Sequence, residues 1–363
     1  MRGGPIWPGF ELFRAACAAG MVWVHAFYFL ISQYGRIALD PDSPILQYYH
    51  WGMLIGCFPM WLPFVGGISI GSWMGSGKRS WSRIWLSSLG FVGAGIMMNV
   101  LAAGFGSWGH WNVLQFFGLS TLVVGSVNRL AGTGSGWILA AISLAALTLG
   151  DLLRGLDSDA SGWRFLIAVF AGGQYEHGWP FCPWFASVAL GVGVHHWWLA
   201  GGRGGGWSLA GVGLVVVAMA ALARAFPPDF SGDDMIGNSV FLVGPVTFTG
   251  IMGLALLLLG AMTLVRGRRT WTPGGVVDCF SRGVFWIYLV HLPLMTRIDI
   301  LFGEQLALPS RLATMKDVSS WLIFLGWPAG FMVLSYGVGW LITHGPGKWR
   351  LNLRVRRVAN HHE

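Results

Sequence analysis

The chain has 363 residues, of which 54% are hydrophobic and only 10% are charged, and its mean hydropathy is +0.60. Soluble domains carry about a quarter charged residues, so this composition excludes an ordinary water-soluble domain and indicates a protein that crosses the membrane several times. The formal net charge of +8 does not indicate nucleic-acid binding, because the basic residues lie in short loops between apolar runs. The four cysteines lie inside apolar runs and form no CxxC pair, so we expect neither a disulfide nor a metal site.

Ten apolar segments, most of them about twenty residues long, predict an all-α polytopic membrane helix bundle with about ten transmembrane helices. We expect residues 1–363 to form a single integral-membrane domain that ends in a basic cytoplasmic tail, residues 344–363. In chain order, the predicted segments are residues 10–31, 52–75, 84–104, 112–130, 136–153, 180–200, 207–226, 239–264, 277–298 and 320–343.

The loops between these segments differ in charge from one side to the other. If the N-terminus is cytoplasmic, every cytoplasmic loop carries Lys or Arg, whereas two of the outer loops are acidic. This asymmetry predicts that both termini are cytoplasmic, and we expect the protein in a bacterial inner membrane. The basic stretches are residues 75–83, 128–136, 201–206, 266–275 and 347–357, and the acidic ones are residues 156–162 and 227–234.

The first segment carries two ionisable side chains that a lipid-facing helix would not contain. Arg14 and His25 are eleven residues apart, which on an α-helix is about 16.5 Å of rise and about 20° more than three full turns, so they share one face. Glu11, three residues before Arg14, is placed to pair with it. Arg14 could also extend to the inner headgroups, and His25 could be a neutral interior residue. Two ionisable groups on one face favour a functional site.

Five of the ten histidines lie at or near the predicted outer face, where acid–base chemistry would be possible for a side chain that titrates near neutral pH. For His110 and His177 an ordinary role in a polar loop is the better interpretation. His50 and His291 are equally compatible with a site and with a structural role. The fifth is His25.

The first segment resembles the first helix of the transmembrane acyltransferases. Glu11, Arg14 and His25 match an acidic residue followed by the Arg-x10-His pattern of the acyltransferase 3 proteins. The sequence departs from that pattern twice: Glu11 stands where the family has Asp, and Ala15 stands where it has Gly.

Four later segments are similar to the heparan-alpha-glucosaminide N-acetyltransferase-like proteins, which belong to the same superfamily. Together with the first helix they extend from about residue 10 to 295, in the same order as in that group. They are "CFPMWLPFVGGISIGSWM" (57–74), "HWNVLQFFGLSTLV" (110–123), "WPFCPWFASVALGVGV" (179–194) and "SRGVFWIYLVHLPLM" (281–295), the last of which is similar to the Ile-Tyr-Leu-x-His run of both groups.

The resemblance implies an enzyme that takes an acyl group from cytoplasmic acyl-CoA, with acetyl-CoA as the first candidate. The acceptor is a hydroxyl or amine of an extracytoplasmic glycan or other cell-envelope molecule, and no metal takes part. His25 is the first candidate for the general base, and it would either deprotonate the acceptor or carry the acyl group transiently. His50 is the second candidate. Arg14 would hold a donor phosphate or form a structural ion pair that shapes the donor tunnel.

Basic residues in the predicted cytoplasmic loops, including Lys78, Arg79 and Arg269, are candidates for the phosphates of CoA. For any single one of them, the orienting effect of positive cytoplasmic loops, which needs no ligand, is the better interpretation.

Two other functions remain open on the sequence alone. A membrane carrier or permease for a lipid-linked or small polar substrate would suit an aromatic, glycine-rich bundle with intramembrane charge. A non-catalytic membrane subunit is the third candidate. The bilayer is the one partner that all three share, and a homo-oligomer is compatible with each.

Overall fold

The computed structural model describes residues 7–34, 60–75, 80–103, 111–154, 166–167, 169–171, 179–199, 205–225, 245–266, 275–302 and 318–345. Over these residues the chain is helical and contains no strand, which confirms the all-α prediction for this part of the protein. The α-helices are α1 (Pro8–Tyr34), α2 (Leu62–Gly75), α3 (Trp81–Ala103), α4 (Val113–Ala131), α5 (Ser135–Arg154), α6 (Phe181–Leu199), α7 (Gly205–Ala225), α8 (Pro245–Arg266), α9 (Val276–Phe302) and α10 (Val318–His344).

Each of these ten helices overlaps one of the ten predicted apolar segments. Five of them contain a stretch that is long and apolar enough to cross a membrane, as expected of an integral membrane protein. The count of ten crossings and the cytoplasmic N-terminus stay predictions. The five stretches are Trp81–Ala102, Val113–Ala131, Gly205–Ala223, Pro245–Val265 and Leu325–His344.

The contacts of the chain divide it into two compact units. The first comprises Met1–Gly9 and Met60–Gly267, and the second comprises Phe10–Pro59 and Arg268–Glu363. The first unit therefore contains α2 to α8, and the second contains α9, α10 and α1 from Phe10 onward. The prediction of one integral-membrane domain stays a prediction.

Glycines bring α7 and α8 of the first unit into close contact. A Cβ atom at Gly260 would overlap the backbone of Ala210, and one at Gly213 would overlap the backbone of Leu257. Only glycine lets the two backbones approach so closely, which is the usual way in which membrane helices pack without a hydrophobic drive between them. The pairing of 210 with 260 and of 213 with 257 means that α7 and α8 run antiparallel.

The helices α2 and α6 run in the same direction. Gly67 lies against the backbone of Val188, and Gly71 lies against the side chain of His195. A parallel pair is what the second and sixth segments require if successive segments cross the membrane in alternate directions.

A capping box defines the start of α4. The Asn112 side-chain oxygen accepts hydrogen bonds from the backbone N–H groups of Leu114 (2.9 Å) and Gln115 (3.3 Å), while the Gln115 side chain accepts from the Asn112 N–H (2.7 Å). The Asn112 amide also donates to the Gly95 carbonyl at 3.0 Å and to the Asn99 side chain at 2.8 Å, which ties α4 to α3.

Candidate functional site

Two polar contacts join α1 to α9 in the second unit. Arg14 Nε donates to Ser281 Oγ at 2.8 Å, and His25 Nδ1 lies 2.8 Å from His291 Nε2. Arg14 and His25 therefore do lie on one face of α1, as their spacing predicts, and that face is directed toward α9. The partners are ten residues apart on α9 and follow the same chain order, so α1 and α9 run parallel with about 15 Å between the two contacts.

The imidazole rings of His25 and His291 meet edge to edge. Their planes are only 7° apart, and their centres are 5.1 Å apart, which is close to the nitrogen–nitrogen distance plus two ring radii. Both nitrogens therefore lie near the line that joins the ring centres. Because the lone pair and the N–H bond of an imidazole lie in the ring plane, this geometry is that of a well-aligned hydrogen bond rather than a face-to-face stack.

The surroundings of the histidine pair are mostly apolar and aromatic. Tyr288 packs its ring edge-on against both histidines, at 6.4 Å from His25 and 5.6 Å from His291. His291 is 3% exposed and Tyr288 8%, whereas His25 is partly exposed. His25 is thus the less buried member of the pair.

His291 is also fixed from its other side. Its Nδ1 lies 2.8 Å from the backbone carbonyl oxygen of Ile287, one turn earlier in α9. Both ring nitrogens of His291 are therefore engaged within the protein, one by its own helix and one by α1.

A small cavity adjoins the ring of His291 between α9 and α10. Its volume of about 10 Å³ is sufficient for roughly one water molecule and not for an acyl donor. The hydroxyl-bearing residue in its wall is Ser335, and the other lining residues are Ile287, Val290, His291, Leu294, Phe331, Leu334 and Val338.

The second polar contact belongs to a compact cluster of Glu11, Arg14 and Ser281. Arg14 Nη2 forms an ion pair with Glu11 Oε2 at 2.8 Å, and the Ser281 hydroxyl donates to the same Glu11 oxygen. The guanidinium also lies over the ring of Phe10, 5.2 Å from its centre. Ser281 is fully buried, whereas the Arg14 and Glu11 side chains are 18% and 26% exposed.

This cluster bears on the two roles that the sequence leaves open for Arg14. Two of the three guanidinium nitrogens of Arg14 bind within the protein, to Ser281 and Glu11. The side chain is thus held as a structural ion pair, and the geometry favours that role over capture of a donor phosphate.

A further group of polar residues lies where α9 begins and α10 ends. The buried carboxylate of Asp278 pairs with Arg282 Nε at 2.6 Å and lies 3.7 Å from His344 Nε2. The side chain of Arg282 is 56% exposed. Thr343 Oγ1 lies 2.6 Å from His344 Nδ1 and donates to the Gly339 carbonyl at 2.7 Å.

Sequence reasoning did not single out Asp278, Ser281 or Arg282. A usable signal was present, because positions 278, 281 and 282 have the spacing that places side chains on one helix face, within an otherwise apolar segment. That signal would have indicated a polar face on α9, although not its partners on α1 and α10.

Several predicted site residues lie outside the described residues. They are His50, Lys78, Arg79 and Arg269, and the same holds for the tail beyond residue 345. Among the residues that the structure describes, no group of three or more His, Cys, Asp or Glu side chains could hold a metal ion.

No protein-family model, curated protein or solved structure matches the chain. The resemblance to the transmembrane acyltransferases therefore stays a prediction that rests on the sequence segments quoted above.

Proposed function

We propose that the protein is a membrane acyltransferase that transfers an acyl group, with acetyl as the first candidate, from acyl-CoA to a hydroxyl or amine of a cell-envelope glycan or similar acceptor. The observation that carries this proposal is the hydrogen bond between His25 and His291. A partly exposed imidazole, held in plane by a second, buried imidazole, is an arrangement suited to a general base.

The reaction needs one proton acceptor and no oxidant. His25 removes the proton from the acceptor hydroxyl or amine as the acceptor oxygen or nitrogen attacks the thioester carbonyl carbon. When the tetrahedral intermediate collapses, the carbon–sulfur bond breaks and the CoA thiolate leaves. The proton held by His25 then goes to that thiolate, so the products are the acylated acceptor and CoA, and His25 returns to its neutral form.

The Glu11–Arg14–Ser281 cluster supports this reaction from a distance. It fixes α1 against α9 at a point about 15 Å along the helices from the histidine pair. In the proposed orientation, with both termini cytoplasmic and about ten crossings of a bacterial inner membrane, this cluster lies toward the donor side and His25 toward the acceptor side. The parallel course of α1 and α9, which are the first and ninth segments, supports alternate crossings.

Contacts of CoA with the protein are proposed for the basic cytoplasmic loops. Lys78, Arg79 and Arg269 remain the candidates for the donor phosphates, since Arg14 is engaged by Glu11 and Ser281. His50 remains the second candidate for the base.

The decisive experiment measures release of CoA thiol by the purified protein. The protein, in detergent or in nanodiscs, is incubated with acetyl-CoA and a panel of sugar acceptors, and free thiol and acetylated sugar are both quantified. We expect acceptor-dependent thiol release by the wild type. A wild-type protein that binds a sugar but releases no thiol with any acyl-CoA would favour the carrier function instead.

The matched variants are His25→Asn and His196→Gln. The Asn side chain places an N–H donor close to where Nδ1 of His25 stands, so the contact with His291 can persist while the second ring nitrogen is lost. We expect His25→Asn to lower the transfer rate by a factor of about 100 or more, whereas His196→Gln, which changes an exposed histidine at the end of α6, keeps the wild-type rate. Full activity of His25→Asn would refute the role of His25.

A further inference from the structure

The hydrogen bonds that pass from Ile287 through His291 to His25 have a defined direction. A backbone carbonyl can only accept, so the hydrogen of the bond between His291 Nδ1 and the Ile287 oxygen lies on the histidine nitrogen. In neutral His291 the other nitrogen, Nε2, then has no hydrogen and accepts.

The same reasoning assigns the hydrogen in the bond between the two rings. Since His291 Nε2 accepts, His25 Nδ1 donates across the 2.8 Å contact. In neutral His25 the lone pair is therefore on Nε2, which is the nitrogen directed away from His291. The Ile287 carbonyl of α9 therefore determines, through His291, which tautomer His25 adopts on α1.

The surroundings of His291 favour its neutral form. The polar groups around its ring are backbone carbonyl oxygens of its own helix, at Ile287 and Tyr288, and the imidazole of His25, and its ring neighbour is Tyr288. None of these carries a negative charge, and an unpaired buried charge is costly. Two carboxylates on α1 and α9 form ion pairs: Glu11 pairs with Arg14, and Asp278 pairs with Arg282. Along its helix, each lies three helical turns or more from the histidine pair.

We propose that His291 is a positioning residue that holds His25 in the Nδ1–H tautomer and so makes Nε2 of His25 the nitrogen that exchanges a proton with the substrate. The tautomer of His25 follows from the two hydrogen bonds alone, whereas the role of its Nε2 in proton transfer rests on the proposed function. When Nε2 takes the acceptor's proton, the Nδ1–H of the resulting imidazolium still donates to His291 Nε2. No proton has to move between the rings, and the bond becomes stronger because its donor is now charged.

Exposure agrees with this assignment of roles. His291 is 3% exposed and has both nitrogens engaged, so it cannot exchange protons directly with a substrate. His25 is partly exposed. The more buried histidine orients, and the less buried histidine reacts.

The first test reads the tautomer directly and needs no enzyme activity. Histidine ring nitrogens are labelled with ¹⁵N in the full-length protein, and the His25 signals are assigned by their loss in His25→Asn. We expect a protonated Nδ1 and an unprotonated Nε2 at a pH where the imidazole is neutral. In His291→Leu, which cannot accept a hydrogen bond, we expect a mixture of tautomers.

The second test uses a variant that restores the acceptor. In His291→Gln the side-chain oxygen can occupy nearly the place of Nε2 and accept from His25 Nδ1–H. We expect His291→Leu to lower kcat by a factor of about 10 to 100, the size of the effect when a metal-binding histidine loses the hydrogen-bond partner that orients it. We expect His291→Gln to recover most of that loss. His196→Gln is again the control, and size-exclusion profiles establish that each variant is folded.

The possible outcomes are distinct. An Nε2–H tautomer of His25 in the wild type, or the same single Nδ1–H tautomer in His291→Leu, would overturn the inference. Equal loss of activity in His291→Leu and His291→Gln, with both variants folded, would also overturn it, because a hydrogen-bond acceptor would then not be what His291 supplies. If the tautomer is as expected and the wild type transfers no acyl group, the assigned function fails while the positioning of His25 by His291 stands.

Discussion

The fully buried hydroxyl of Ser281 supports a quantitative prediction, because it forms hydrogen bonds with two charged groups at once. It accepts from Arg14 Nε at 2.8 Å and donates to Glu11 Oε2. In Ser281→Ala both bonds are lost, and the helix backbone is unaffected because alanine is a good helix former. Arg14 and Glu11 would keep their own ion pair.

The magnitude follows from the two lost bonds. A hydrogen bond to a charged group contributes about 1.5 to 3 kcal/mol, so two of them give an upper value of about 3 to 6 kcal/mol. The Arg14 and Glu11 side chains are 18% and 26% exposed, so water can replace part of what is lost. We therefore expect Ser281→Ala to lower the free energy of unfolding by about 2 to 3 kcal/mol.

The assay is reversible unfolding in mixed micelles, monitored by tryptophan fluorescence. The matched control is Ser143→Ala, because the Ser143 hydroxyl donates to the Leu139 carbonyl of its own helix, at 2.7 Å. We expect the control to change the free energy of unfolding by less than about 0.5 kcal/mol. If the two variants unfold alike, Ser281 does not join α1 to α9 energetically, and the proposed role of the cluster is wrong.

Three further predictions concern other contacts and use the same unfolding assay. Gly260→Ala forces α7 and α8 apart and should lower the free energy of unfolding by about 1 to 3 kcal/mol. The control is Gly211→Ala, where a Cβ atom would meet no neighbouring atom within 4 Å, and it should be neutral or slightly stabilising. Equal effects of the two variants would contradict the close packing of α7 and α8. Asn112→Ala removes the cap of α4 and its hydrogen bonds to α3, so we expect the free energy of unfolding to fall by about 1 to 2 kcal/mol. An unchanged stability would mean that the capping box contributes nothing. Arg282→Leu leaves the buried Asp278 carboxylate without its closest partner. Since Arg282 is 56% exposed, we expect the free energy of unfolding to fall by only about 1 to 2 kcal/mol. The double variant Asp278→Leu/Arg282→Leu should be more stable than Arg282→Leu alone, and a further loss of stability would refute that reasoning.

The contrast between the two contacts of α1 is informative about the enzyme hypothesis. Loss of the Ser281 contact is expected to lower stability, with activity affected only as far as the fold loosens. Loss of the His291 contact is expected to lower activity in a protein that remains folded. A mutation series across both contacts therefore separates residues that hold α1 in place from those that prepare His25 for chemistry.

The helices were predictable to within a few residues at many of their ends because they depend on local sequence. Segment 112–130 coincides with α4, which begins at Val113, since Asn112 and Gln115 form a cap within the same stretch. Segment 84–104 and α3, Trp81–Ala103, differ by a few residues at the start, where tryptophan and serine extend the helix beyond its apolar run. The shared face of Arg14 and His25 was likewise predictable, because helical geometry alone determines it.

The partners of those two residues were not predictable in the same way. Ser281 and His291 are 267 and 266 residues distant in sequence from Arg14 and His25. Which of the many polar residues in other segments meets α1 depends on how the helices pack. His291 was a candidate for the site because it is a histidine near the predicted outer face. The spacing of Ser281 with Asp278 and Arg282 indicated at most a polar face on α9, and not that this face meets α1.

The sequence by itself determined that the chain is helical, that apolar helices of membrane-spanning length occur in it, and that Arg14 and His25 share a face. These properties depend on hydrophobicity and on the period of the helix, both of which are local. Only the tertiary structure decided that Arg14 is engaged by Glu11 and Ser281 and that His25 is bound to His291. It did so because a hydrogen bond needs two atoms within about 3 Å, and for residues on different helices that proximity is created by packing and not by the sequence around either one.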